Sequence, residues 1–133
     1  MSAIVVDTHA VIWYLSAPAR LSRHAVAAFD ATIHSGSAIY VPSITVVEVT
    51  YLVERGRLRQ RVYDVLVEAL TDGNSGFVLA PLSLGAAETV QNVPRTIVPD
   101  MPDRIIAATA LYPGLPLVTR DARIRACGVP TLW

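Results

Sequence analysis

Asp7, Glu48, Asp103 and Asp121 lie far apart in the chain, yet each stands where an apolar, strand-like run gives way to a helical one. In a parallel α/β sheet that position recurs along one edge, because the C-terminal ends of the strands open onto the face where such folds place ligands. Folding would gather four carboxylates there. Two like charges about 4 Å apart repel by roughly 4 kcal/mol at an effective dielectric near 20, so a set of four needs a counter-charge. A hard divalent cation supplies it, and oxygen-only donors suit magnesium or manganese. A pair of such ions can activate a water and stabilise the departing oxygen in phosphodiester cleavage.

Taken singly, each acid has a simpler role. Asp7, Asp103 and Asp121 suit helix N-termini through the macrodipole, and Glu48 is one of four glutamates. Taken together they resist that reading. Asp7 ends an apolar strand, Glu48 interrupts the apolar run Ile44 to Val53, and Asp103 precedes the uncharged stretch Ile105 to Leu111. Carboxylates flanked this way are expected near the core, where an unpaired charge is costly.

The elements that must position them follow from pattern and punctuation. Ala3 to Val6 predicts a first strand, and Thr8 is a candidate cap for a helix through Ala10 to Leu15, stopped by Pro18. Leu21, Ala25, Ala28, Phe29 and Ile33 recur near a 3.6 period and predict a helix over Leu21 to Ile33. Ala38 to Val41 is a second strand, and Ser43 a candidate cap for the helix carrying Glu48, broken at Gly56. A helix over Leu58 to Leu70, a turn from Asp72 to Gly76 and a strand at Phe77 to Ala80 come next. Ser83 opens a short helix to about Gln91, and Asn92 to Pro102 reads as an irregular loop. Asp103 to Leu111 is helical and Leu117 to Val118 a strand; Thr119 is a candidate cap for the short helix containing Asp121, and Thr131 to Trp133 is a last strand. Strands alternating with helices argue for a parallel sheet of about five strands flanked by helices. No repeat or linker divides residues 1–133, which are expected to form one domain.

Composition excludes several chemistries. All eleven basic residues are arginine, so a Schiff-base lysine and a P-loop lysine are both absent. Formal net charge is zero, which leaves local patches rather than a global field to attract a polyanion. Cys127 is the only cysteine, so no disulfide closes within the chain and a cytoplasmic location is expected. The apolar N-terminal run is interrupted by Asp7, and no run approaches the ~18 uncharged residues of a membrane span, so no membrane association is expected. His9, His24 and His34 have no zinc-site spacing. Mean hydropathy of +0.45 is high for a small soluble monomer and points to an interface.

Four ordered segments carry a family resemblance. They are Val5-Val6-Asp7-Thr8-His9, Pro42-Ser43-Ile44-Thr45-Val46-Val47-Glu48, Asp103-Arg104-Ile105-Ile106-Ala107-Ala108-Thr109-Ala110 and Leu117-Val118-Thr119-Arg120-Asp121. Across essentially the whole chain these resemble the motifs of PIN-domain ribonucleases. The small size and the ending Gly128-Val129-Pro130-Thr131-Leu132-Trp133 resemble the VapC toxins of bacterial type II toxin-antitoxin modules. The resemblance implies a PIN-like fold and an endoribonuclease using Mg2+, with Mn2+ as a substitute, held by Asp7, Glu48, Asp103 and Asp121. Thr8 and Thr119 occupy assisting positions, and Asp100 is either an outer acid or a loop residue. Homodimers and a cognate VapB-like antitoxin covering the acidic site are implied as partners, and hydrolysis is expected to leave a 5′-phosphate and a 3′-hydroxyl.

An acidic site needs cations to hold RNA. Arg120 and Arg123, with Arg125, lie beside the fourth acid, while Arg55, Arg57, Arg59 and Arg61 cluster at the Gly56 break, where a solvated helix end is the competing reading. Trp13 and Tyr14 are candidates for base stacking, with core or dimer packing as the simpler role. Two rival functions stand. One is a non-catalytic PIN-like module docking a basic peptide in the acidic pocket; the other, a phosphoaspartate-forming domain, lacks a lysine and a second acid two residues from Asp7.

Overall fold

The computed structural model describes residues 3–133. Five strands, β1 (Ile4–Val6), β2 (Ile39–Pro42), β3 (Phe77–Ala80), β4 (Leu117–Val118) and β5 (Thr131–Leu132), form one sheet in the order β3-β2-β1-β4-β5. Every pairing is parallel, with Val5 opposite both Tyr40 and Leu117. Seven helices connect them: α1 (Thr8–Ser16), α2 (Arg23–His34), α3 (Ser43–Glu54), α4 (Gln60–Thr71), α5 (Leu84–Thr89), α6 (Met101–Leu111) and α7 (Ala122–Arg125). Short 3₁₀ turns at Pro18–Arg20 and Val90–Asn92 complete the trace.

Alternation along β1 divides the core between the two faces of the sheet. Ile4 and Val6 pack with Ile39, Val41, Phe29, Leu66 and Trp13 on one side. Val5 points the other way, against Leu117, Ile106, Ala107, Ile124 and Val129. A strand buried on both faces reads as continuous apolar sequence rather than as an alternating one, which is why Ile4-Val5-Val6 carries no polar residue. A fully buried Val or Ile contributes roughly 1.5–3 kcal/mol of transfer free energy, and Ile4, Val5 and Val6 are all buried, so β1 is anchored along its whole length.

The chain leaves β1 toward β2 and β3, then returns to the opposite side of β1 through β4 and β5. The strand order therefore reverses between β1 and β4, and their C-terminal ends border the crevice where open α/β sheets bind ligands.

The structure moves several expected boundaries, and side-chain capping accounts for those of α1, α2, α6 and α7. α1 is capped by Asp7, whose Oδ1 accepts from Ala10 N at 2.8 Å, and not by Thr8. Asp121 likewise caps α7 through Arg123 N and Ile124 N, displacing the expected Thr119. Pro42 stands at the N-cap of α3 and no side chain caps it, so Ser43 is simply the first helical residue. α2 begins at Arg23 behind a Ser22 cap, and α4 begins at Gln60 rather than Leu58. α6 starts at Met101, two residues early, because Asp100 caps it and Pro102 sits in its first turn, where a missing N–H costs nothing.

The end of α3 redirects the chain. Gly56 adopts φ 73°, and the amides of Gly56 and Arg57 bond back to Val53 O and Leu52 O, the pairing of a Schellman motif. That left-handed step turns Arg57 and Leu58 back toward the crevice.

Candidate functional site

A cleft of about 920 Å³ opens at the strand reversal, lined by Asp7, Glu48, Asp100, Asp103 and Asp121 with Thr8, His9, Arg57 and Arg123 among their neighbours. All four carboxylates singled out by the sequence reach it. Asp7 follows β1, Asp121 follows β4, Glu48 comes from α3 and Asp103 from the first turn of α6.

Local structure fixes each of them. Asp7 is almost wholly buried, held by Ala10 N and by the Thr119 side chain. The Thr119 hydroxyl, itself fully buried, also accepts from Asp121 N at 3.0 Å, so one side chain braces two acids on adjacent strands. Thr8 donates to Glu48 Oε1 at 2.6 Å. Its single proton is then committed, and Thr45 must be the donor in the 3.1 Å contact between the two hydroxyls. Asp100 accepts from Asp103 N at 3.4 Å, and the approach to it is anchored by Arg104, which donates to Val93 O and Val90 O at 2.9–3.1 Å.

The electrostatics match a crowded acidic site. Burial raises the carboxyl of Asp7, with a smaller push from Asp121 and opposing pulls from Thr119, Ala10 and His9. Burial also raises Glu48, against the Thr8 hydrogen bond and with repulsion from Asp100 and Asp7. Asp103 is driven from 3.8 to about 7, first by burial and then by Asp100, Asp121, Glu48 and Asp7 in turn. Such mutual repulsion places the acids within electrostatic reach of one another.

The donor set fits a hard divalent cation: carboxylate and hydroxyl oxygens, with no thiolate and one imidazole at the margin. Among the described residues no three acidic or imidazole groups stand close enough together to hold an ion as they are placed. Glu48, Asp103 and Asp121 are only partly buried, whereas Asp7 is enclosed.

The other candidates divide. Arg57, Arg120 and Arg123 line the cleft. Arg55 does not; its guanidinium lies 5.7 Å from the Tyr51 ring centroid on the outside of α3. Arg59 and Arg61 line a second hollow, of about 460 Å³, that shares Arg57 and Leu58 with the first. Tyr14 stacks on Phe29 at 4.2 Å and donates to Asp30, which leaves it in the packing role. Trp13 is buried but lines the cleft. Arg20, Thr45, Arg104 and Trp133 were not singled out from sequence. Thr45, Arg104 and Trp133 do lie within the quoted segments, Thr45 three residues before Glu48 and Arg104 directly after Asp103.

The crossed strand order and the carboxylate-lined crevice define a parallel α/β protein with an oxygen-donor site at its switch point. The sequence profile of the PIN domain family matches residues 4–129, and the chain belongs to that family. It is 31% identical to Ribonuclease VapC22 of Mycobacterium tuberculosis over 138 aligned positions, covering all of both chains. The VapBC2 complex of Rickettsia felis, bound to a DNA fragment from its promoter, superposes with a TM-score of 0.73 at 13% identity, over 98% of this chain and 97% of the other, a likeness of fold alone. A toxin-antitoxin complex from Klebsiella pneumoniae gives 0.58 at 25% identity, over 96% and 92%.

Proposed function

We propose that this chain is the toxin of a type II toxin-antitoxin pair and a divalent-cation-dependent endoribonuclease. The observation that carries the reading is the convergence of Asp7, Glu48, Asp103 and Asp121 on one cleft at the strand reversal. Full-length similarity to a VapC ribonuclease supports the activity, and the likeness to a toxin-antitoxin complex supports an antitoxin as partner.

Asp7, Glu48, Asp103 and Asp121 would hold Mg2+, with Mn2+ as a substitute, which supplies a Lewis acid at the scissile phosphate and a nucleophilic water at neutral pH. The residues of the chain do the rest. Capping holds Asp7 through Ala10 N and Asp121 through Arg123 N and Ile124 N, while Thr119 bonds the Asp7 carboxylate and the backbone amide of Asp121. Thr8 orients Glu48. Arg57, Arg120 and Arg123 offer guanidinium groups to the phosphates of the bound strand. Hydrolysis by water leaves a 5′-phosphate and a 3′-hydroxyl.

A homodimer accords with the exposed Val47 and Tyr51 on α3 and with Leu84, Met101 and Tyr112 around α5 and α6. A cytoplasmic location follows from an RNA substrate; no helix among the described residues is long and apolar enough to cross a membrane. A second reading is an acidic pocket that docks a basic peptide without catalysis, for which the five carboxylates lining the cleft would supply the charge.

End-mapping of total bacterial RNA after incubation with the purified protein separates the two. Discrete cuts that require Mg2+ or Mn2+, vanish in EDTA and vanish in Asp7→Asn establish the nuclease. Metal binding with no cuts favours the docking module, and a 2′,3′-cyclic end overturns hydrolysis by water.

A further inference from the structure

Two arginines meet on one aromatic ring at the mouth of the acidic cleft. The guanidinium carbon of Arg20 lies 4.6 Å from the Trp13 ring centroid and that of Arg120 lies 4.9 Å from it. The indole is held from other directions, with Trp133 at 6.0 Å edge-on and His9 at 5.6 Å, and it is only 6% exposed. All five residues line the cleft beside the acids.

Neither guanidinium is paired with a carboxylate among the described residues, although five acids share the cleft. Their N–H donors remain available to a ligand, five on each group in a planar fork suited to phosphate. Their backbones are also fixed. Arg20 closes the 3₁₀ turn that Pro18 opens, with its amide on Ala17 O, and Arg120 stands between the buried Thr119 and the capping Asp121. A cation resting on an indole face loses little freedom when an anion arrives, because the ring has already restricted it.

We infer that Trp13 is a platform presenting Arg20 and Arg120 as a clamp for a substrate phosphate flanking the scissile one. The clamp rests on the ribonuclease reading and adds to it a binding subsite, with Arg20 and Arg120 as contacts and Trp13 as their positioning residue. The scissile phosphate belongs to the carboxylates and their cation; the arginines, unpaired with those carboxylates, face the neighbouring backbone. Sequence could not suggest the clamp, since Arg20, Trp13 and Arg120 belong to three separate segments.

The test compares Arg20→Gln, Arg120→Gln and their double variant with the parent, both substitutions lying at exposed side chains that line the cleft. Cleavage of total bacterial RNA gives KM and kcat, and a random-sequence single-stranded RNA pool gives Kd against salt in the Asp103→Asn background. KM should rise about tenfold for each arginine removed while kcat stays within about threefold. The slope of log K against log salt should fall by about 0.7 for each. Trp13→Leu should raise KM with no change of charge, and Trp13→Phe, which keeps a weaker aromatic face, should recover part of that loss. An unchanged KM and salt slope in the double variant, with a parent that cleaves, overturns the clamp and leaves the nuclease standing. Equal losses in kcat and kcat/KM also overturn it. A parent that neither binds nor cleaves RNA overturns both.

Discussion

Replacing Asp103 with Asn should stabilise the metal-free protein. Asp103 is the acid most disfavoured as a charge, its carboxyl raised from 3.8 to about 7 by burial and by four neighbouring acids. At ~1.4 kcal/mol per pH unit, that rise corresponds at face value to about 4 kcal/mol between the unfolded and folded states. The group is half-buried at an open cleft, and solvent screening reduces the expected effect to about 1–2 kcal/mol. The sign follows from proton linkage: between pH 4 and pH 7 the folded state retains a proton that the unfolded state has released, so the wild type loses stability as pH rises through that window. Asn has nothing to titrate. Its advantage should grow from near pH 4, level off above pH 7 and amount there to about 4–7 °C in melting temperature for a chain of this size. Thermal melts of both proteins in EDTA across this range provide the assay. A difference that is flat with pH, or an Asn variant less stable than wild type at pH 8, would refute the account of Asp103 as a charge held against its neighbours.

Other consequences are as direct. Mg2+ at saturating concentration should raise the melting temperature of the wild type by mass action and leave Asp103→Asn nearly unmoved; equal shifts in both would place the ion elsewhere. Thr119→Val removes a hydrogen bond to Asp7 and leaves Asp121 N without its acceptor. It should cost about 1–3 kcal/mol in urea denaturation and move the acidic limb of the cleavage profile to higher pH, because Asp7 loses an interaction that lowers its pKa. Arg104→Met should lower stability by about 2–3 kcal/mol through the lost bonds to Val90 O and Val93 O. Its denaturation midpoint should fall at unchanged slope.

The strands, the helices and the four acids were legible in the sequence because each rests on local information. Ile4-Val5-Val6 is apolar throughout since β1 is buried on both faces; Asp7 and Asp121 cap the helices that follow β1 and β4, Asp103 lies in the first turn of α6, and Glu48 lies in the second turn of α3. The caps were misplaced by one or two residues for a physical reason. Asp and Thr both cap helices, and in Asp7-Thr8 and Thr119-Arg120-Asp121 the sequence offers both in succession. The aspartate took the cap each time, and the threonine turned inward to brace an acid. Asp100 was read within a loop because Pro102 concealed a helix start that the cap itself defines. The ring contacts of Trp13 with Arg20 and Arg120 depend on the packing of α1, the Pro18 turn and the segment after β4, which no local pattern encodes.

That Asp7 and Asp121 each cap a helix with one oxygen has a bearing on how such a protein can lose its activity. Asparagine caps about as well as aspartate, whereas alanine forfeits about 1 kcal/mol at each position. The route from an active chain to a folded but inert one therefore runs through single Asp-to-Asn changes that leave the helix starts in place. On the toxin reading proposed above, a chain silenced in this way would still present its folded surface to an antitoxin, and so would continue to compete for it. Inactivation by Asn and inactivation by Ala are, for this fold, different events: one makes a decoy, the other a weakened protein.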